Sequence, residues 1–145
     1  MESRSIQFDG SSQPPRKGAD PLVRFVTAQA PVYASVLAEL GAGRKQSHWM
    51  WFIFPQLAAL GRSPTAKFYG LGDLGEARAY LRHPVLGPRL LECTRIVNAL
   101  DGRTLNQIFG TPDDLKFRSC VTLFHHAAPK EPAFVDALQK YCGSE

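Results

Sequence analysis

Apolar residues recur three and four apart along most of the chain, and that period predicts helices. Leu22, Phe25, Val26 and Gln29 share one face; beyond Pro31 the series continues through Val32, Val36, Leu37 and Leu40 until Gly41 and Gly43 stop it. Asp20-Pro21 supplies the start, since Asp caps free amides and Pro loses nothing at the first helical position. Ser63-Pro64 opens a second region over TAKFYG, Asp73 with Glu76 makes a capping-box-like pair ahead of ARAYL, and His83-Pro84 breaks that helix. Leu86, Leu90, Cys93, Val97 and Leu100 then form a core-facing stripe ended by Asp101-Gly102. After a short piece, TLNQIFG, the run Thr111, Pro112, Asp113 and Asp114 combines a cap, a first-turn Pro and two acids matched to the helix dipole, and it opens LKFRSCVTLFHH. A last helix is predicted to bury Phe134, Val135, Leu138 and Tyr141 before Gly143.

One stretch breaks this rhythm. GRKQSHWMWFIFPQ, Gly43 to Gln56, runs a basic, hydrogen-bonding head into an aromatic block holding Trp49, Trp51, Phe52 and Phe54. Its residues favour strands, yet no second β-rich run exists to pair with it, so it is read as an irregular or helical buried connector. The pattern therefore predicts an all-α fold: a compact single-domain bundle of about six to eight helices with short connectors over residues 20–143, after a flexible tail at residues 1–19.

Composition narrows the picture. Of the 145 residues 44% are hydrophobic and 21% charged, enough to build a core without disulfides or a metal. Three widely spaced cysteines, Cys93, Cys120 and Cys142, contain no CxxC pair and read as buried thiols of a cytoplasmic protein. The longest charge-free run, Gln46 to Gly61, is interrupted by Pro55 and is shorter than a membrane span, so no membrane association is expected. A net charge of +4 spread along the chain hints at anionic ligands and argues against a continuous nucleic-acid groove.

Two clusters could carry chemistry. In the first, Arg44, Lys45, Gln46, Ser47 and His48 stand immediately beside Trp49 and Trp51, a mixture that could hold a phosphate or carboxylate while a ring stacks on an indole. In the second, Asp113, Lys116 and Ser119 lie three apart, so an acid, an amine and a hydroxyl share a helix face beside Asp114. The bland alternatives are solvated cations beside core aromatics, and an acidic helix start with surface ion pairs. His48, His83, His125 and His126 show no HxxxH or HExxH spacing, and phosphate-loop and dinucleotide fingerprints are absent, so no metal and no cofactor are expected.

RFVTAQ, ELGAGRKQSHWMWFIFPQLAALG, EARAYLRHPVLGPRLLECT and IFGTPDDLKFRSCVTLF together resemble the bacterial domain-of-unknown-function family numbered 1810, over about residues 20 to 142. The resemblance implies a compact, mostly helical domain and no established activity. Some members carry the label calpastatin, which does not fit, because such inhibitors are long, polar and disordered. This chain matches the family at Lys45, His48, Trp49, Trp51, Pro55, Gln56, His83, Pro84, Gly87, Arg89, Asp113, Asp114, Lys116 and Ser119, and departs from it at Cys120 and Val121, where Ser and Met are usual. So polar a signature favours a shared pocket. In it Lys45 and Arg89 would bind an anion, Trp49 or Trp51 would stack, Gln56, Lys116 and Ser119 would complete the binding set, and His48 with Asp113 or Asp114 would supply acid and base. A likeness of KFRS and FVDALQKY to small helical N-glycosidases linked to NAD and ADP-ribose extends the expected ligand to nucleotide-like molecules. The competing expectation is a protein-interaction module that uses the aromatic block.

Overall fold

A computed structural model describes residues 21–142. These residues hold nine α-helices and one 3-10 turn. In chain order they are α1 Val23–Gln29, α2 Tyr33–Gly41, α3 Met50–Ile53, the 3-10 turn Ala58–Leu60, α4 Pro64–Phe68, α5 Leu74–Arg82, α6 Leu86–Ala99, α7 Leu105–Phe109, α8 Asp113–Ala127 and α9 Pro132–Tyr141. The fold is all-α, and the one β pairing among the described residues is an isolated parallel bridge, Leu57 to Leu71. The helix count exceeds the expected six to eight because α3, α4 and α7 are four or five residues long, little more than one turn, too short for a period to reveal. The expected tail, the Asp20 cap and the Gly143 stop fall outside the described residues.

Local chemistry accounts for most boundaries. Pro31 separates α1 from α2, and Gly43 follows α2 at φ +76°, a conformation that suits glycine. Ser63 accepts from the Ala66 amide, with Pro64 at the first position of α4. Asp73 accepts from the Glu76 amide, but Glu76 turns its carboxylate to the Gly72 amide at 2.7 Å, so the expected box is only half closed. A full capping box joins Thr104 and Gln107 at α7, in the piece TLNQIFG. The α8 start stands at Asp113, but Thr111 is not its cap: its hydroxyl accepts from Asn106 Nδ2 at 2.7 Å, and the amide of Asp114 donates to the Gly110 carbonyl instead. His83 ends α5 and then caps α6, its Nδ1 accepting from the amides of Val85 and Leu86.

Helix α6 packs on α5 and α9, and α8 packs on the same two, so these four enclose the centre; α2 lies against α6, α7 against α8, and α1 against α3. The interior is aromatic: Phe25 meets Tyr80 edge-on at 5.2 Å, Tyr80 meets Phe124 at 5.5 Å, and Phe124 stacks on Phe134 at 5.8 Å. In α9 Phe134 and Ala137 are fully buried, whereas Val135, Leu138 and Tyr141 are half-buried, because the helix meets the core with one narrow stripe. Gln29, on the predicted apolar face of α1, is buried with all its bonds made: its amide donates to the Phe52 carbonyl at 2.7 Å and the Tyr80 hydroxyl at 3.0 Å, and its oxygen accepts from Arg89 at 3.2 Å. Cys93 and Cys120 are buried, and burial raises both thiols, Cys93 to about 12.

Candidate functional site

The loop between α2 and α3 is shaped by a residue that pattern reading passes over. Glu39, in the last turn of α2, accepts from the amides of Gln46 and Ser47 at 2.8 and 3.0 Å, from the Ser47 hydroxyl at 2.6 Å and from the Trp49 indole N–H at 2.9 Å. Partial burial works against its charge, but these four donors prevail and hold the carboxyl at about 2. Glu39 stands inside the motif ELGAGRKQSHW, yet its partners lie seven to ten residues downstream across a turn, a spacing that no helical or strand period signals.

This loop delivers Lys45. Its amide donates to the Ile108 carbonyl of α7 at 2.7 Å, and its ammonium meets the Asp113 carboxylate of α8 at 2.8 Å. Lys116, one turn into α8, reaches the other Asp113 oxygen at 3.1 Å and lies over the Trp51 ring, 3.5 Å from its centroid. Behind this group Phe54 packs against Phe109 and Phe117 at 5.7 and 5.1 Å. Two ammoniums, one carboxylate and one indole thus converge from the loop, α3 and α8. The side chains of Lys45, Lys116 and Asp113 are 8%, 17% and 18% exposed.

The structure assembles part of the predicted set. Lys45, Asp113, Lys116 and Trp51 come together. Trp49 is 1% exposed and hydrogen-bonded to Glu39, so it is a core residue with no face left for a ligand. His48 is exposed, and no described hydrogen bond or ion pair joins it to Asp113 or Asp114. Both oxygens of Asp113 are engaged by lysines, while Asp114 accepts from the Leu115 amide at 2.8 Å and contacts Asn106 at 3.4 Å. The acid–base pairing expected of these three is therefore not formed. Arg89 serves elsewhere: it donates to Gln29 and lies 4.6 Å over the Tyr33 ring, tying α6 to α1 and α2. Gln56 is half-buried, and its carbonyl accepts from the Leu71 amide at 2.9 Å.

Ser119, one turn beyond Lys116, lines a groove of about 500 Å³ along α8. Leu57, Leu60, Leu74 of α5 and the buried Leu123 line it together with Arg118, Thr122 and His126 of α8. Leu60 is 53% exposed. Among the described residues no group of three or more His, Cys, Asp or Glu is placed to hold a metal, and no helix is long and apolar enough to cross a membrane.

The family model described as "Protein of unknown function (DUF1810)" matches residues 19–145. Among solved structures the chain is similar to the conserved hypothetical protein Rv1873 from Mycobacterium tuberculosis, with 58% identity and a TM-score of 0.85, covering 87% of this chain and 91% of that one. Comparison with curated proteins finds no match.

Proposed function

Since the chain belongs to the DUF1810 family of proteins of unknown function, its chemistry has to be read from its own side chains, and we propose that it binds a small anionic ligand at Lys45, Lys116 and Trp51. The observation that carries this reading is the unequal charge of the cluster. Lys45 is almost wholly buried, yet it shares its one carboxylate with a second ammonium. One Asp113 cannot neutralise two cations, and the Trp49 and Trp51 rings, 5.2 and 3.5 Å from the Lys45 and Lys116 ammoniums, attract them without supplying a formal negative charge. A phosphate or carboxylate is the natural fourth member of the group, and the half-exposed Trp51 ring offers a face for a planar portion, which accommodates a nucleotide-like molecule.

In this reading Asp113 orients the two lysines and takes no proton from the ligand. The alternative, a protein-binding surface built on the aromatic block, draws less support, because Trp49, Met50, Ile53 and Phe54 are buried and only Trp51 and Phe52 remain half-buried. The test is a thermal-shift panel of phosphate, sugar phosphates, nucleotides and ADP-ribose on the wild type and Lys45→Ala. A ligand at one hundred times its Kd stabilises by about 2.7 kcal/mol, so a rise in Tm seen in the wild type and lost in Lys45→Ala supports the site. No rise across the panel, or an equal rise in both proteins, refutes it.

A further inference from the structure

The groove begins one turn beyond the ionic cluster along α8. Lys116 and Ser119 are neighbours on the α8 surface, and from Ser119 to His126 the groove runs about 10 Å along the axis at 1.5 Å per residue. Lys45, Trp51, Asp113 and Lys116 do not line the groove themselves; Ser119 is the lining residue one turn from Lys116. Resting on the anion-site reading, we infer that the ligand is a small amphiphilic anion: a phosphate or carboxylate head at Lys45 and Lys116, and an aliphatic tail laid in the leucine groove.

Three features select this class. The apolar lining of the groove is four leucines, with no Phe, Tyr, Trp, Asn or Gln, so it offers contact to methylenes and little to a purine. None of the lining residues is acidic, and Arg118 among them is positively charged, which favours an anionic ligand over a cationic one. The hydroxyl of Thr122 is spent on the Arg118 carbonyl at 2.7 Å, whereas Ser119, one turn from Lys116, makes no side-chain hydrogen bond among the described residues. A volume of about 500 Å³ lies within the range of small-molecule sites, and Leu60 of its lining is 53% exposed.

Head and tail are separable by experiment. Inorganic phosphate and ethyl, butyl and hexyl phosphate are titrated into the full chain, following Trp fluorescence and heat, with Lys116→Ala and Leu60→Ser as variants; Leu60 is exposed enough for its replacement to leave folding intact. The inference expects affinity to rise up to about fourfold per buried methylene, a smaller rise in Leu60→Ser with inorganic phosphate unchanged, and loss of all four probes in Lys116→Ala. Hexyl phosphate binding no tighter than inorganic phosphate, with both still lost in Lys116→Ala, overturns the amphiphile and leaves the anion site standing. A chain-length gain that persists fully in Leu60→Ser overturns the placement of the tail. Absence of binding by every probe overturns both readings.

Discussion

Replacing Asp113 by Asn separates charge from shape, because the amide keeps the size of the side chain and one oxygen but no longer pairs with two ammoniums. Lys45 at 2.8 Å and Lys116 at 3.1 Å would be left facing each other, one of them 8% exposed. Breaking a fully buried ion pair costs about 3–5 kcal/mol. Asp113 and Lys116 retain 18% and 17% exposure, so water screens part of that loss and about 2 kcal/mol is the better figure. Losing an acid from the first turn of α8 adds about 0.5 kcal/mol. A domain of this size loses about 3 °C in Tm per kcal/mol, which puts the expected fall near 8 °C by scanning calorimetry in a dilute, weakly binding buffer. The variant should then recover more Tm from added phosphate than the wild type does, since the anion supplies the missing charge. A Tm within about 1 °C of the wild type would refute the claim that one carboxylate restrains both lysines. A lowered Tm with no greater phosphate recovery would refute the claim that the cations are available to an anion.

Four further outcomes follow from particular contacts. Glu39→Gln should cost about 1–2 kcal/mol through its four donors; because the native carboxyl titrates near 2 and an unfolded one near 4.3, the Tm gap between variant and wild type should hold above about pH 5 and shrink as the pH falls towards 2. Trp49→Ala should cost about 3–5 kcal/mol and reduce soluble yield, whereas Trp51→Ala should cost about 1 kcal/mol and weaken ligand binding, as read by denaturant melts and titration. Gly87→Ala would place a Cβ 2.1 Å from the Leu81 carbonyl oxygen, and a loss of about 2 kcal/mol or more in a urea melt is expected. Iodoacetamide on the native protein should modify Cys142 first and spare the buried Cys93 and Cys120, by mass spectrometry of timed quenches.

Much of the fold was legible because its helices bury one stripe each. The series Leu86, Leu90, Cys93, Val97 names the buried face of α6, and Ser63-Pro64 with Asp73 marks two helix starts by capping chemistry alone. The cap of α8 was not legible, because Thr111 is drawn to Asn106, a contact between α7 and the following turn that local pattern does not encode. In the site, the three-residue spacing of Asp113 and Lys116 correctly announced a shared face. Composition could not tell Trp49 from Trp51: two places apart, one hydrogen-bonds Glu39 in the core and the other lies half-exposed beneath Lys116, a distinction set by the single turn of α3. His48 and Arg89 share the motifs but take directions that only tertiary packing decides. Glu39 reaches partners seven to ten residues downstream across a turn, and the leucine groove draws on residues from several elements, so neither is visible as a local motif.

The central claim is that Lys45 and Lys116 hold an anion in the presence of Asp113. A crystal of the wild-type protein grown with millimolar selenate, measured at the selenium edge, tests it most directly. An anomalous peak is expected within hydrogen-bonding distance of both Nζ atoms and beside the Trp51 ring, absent from crystals of Lys45→Ala. A wild-type map with no peak there, the two lysines closed on Asp113 alone, would contradict it.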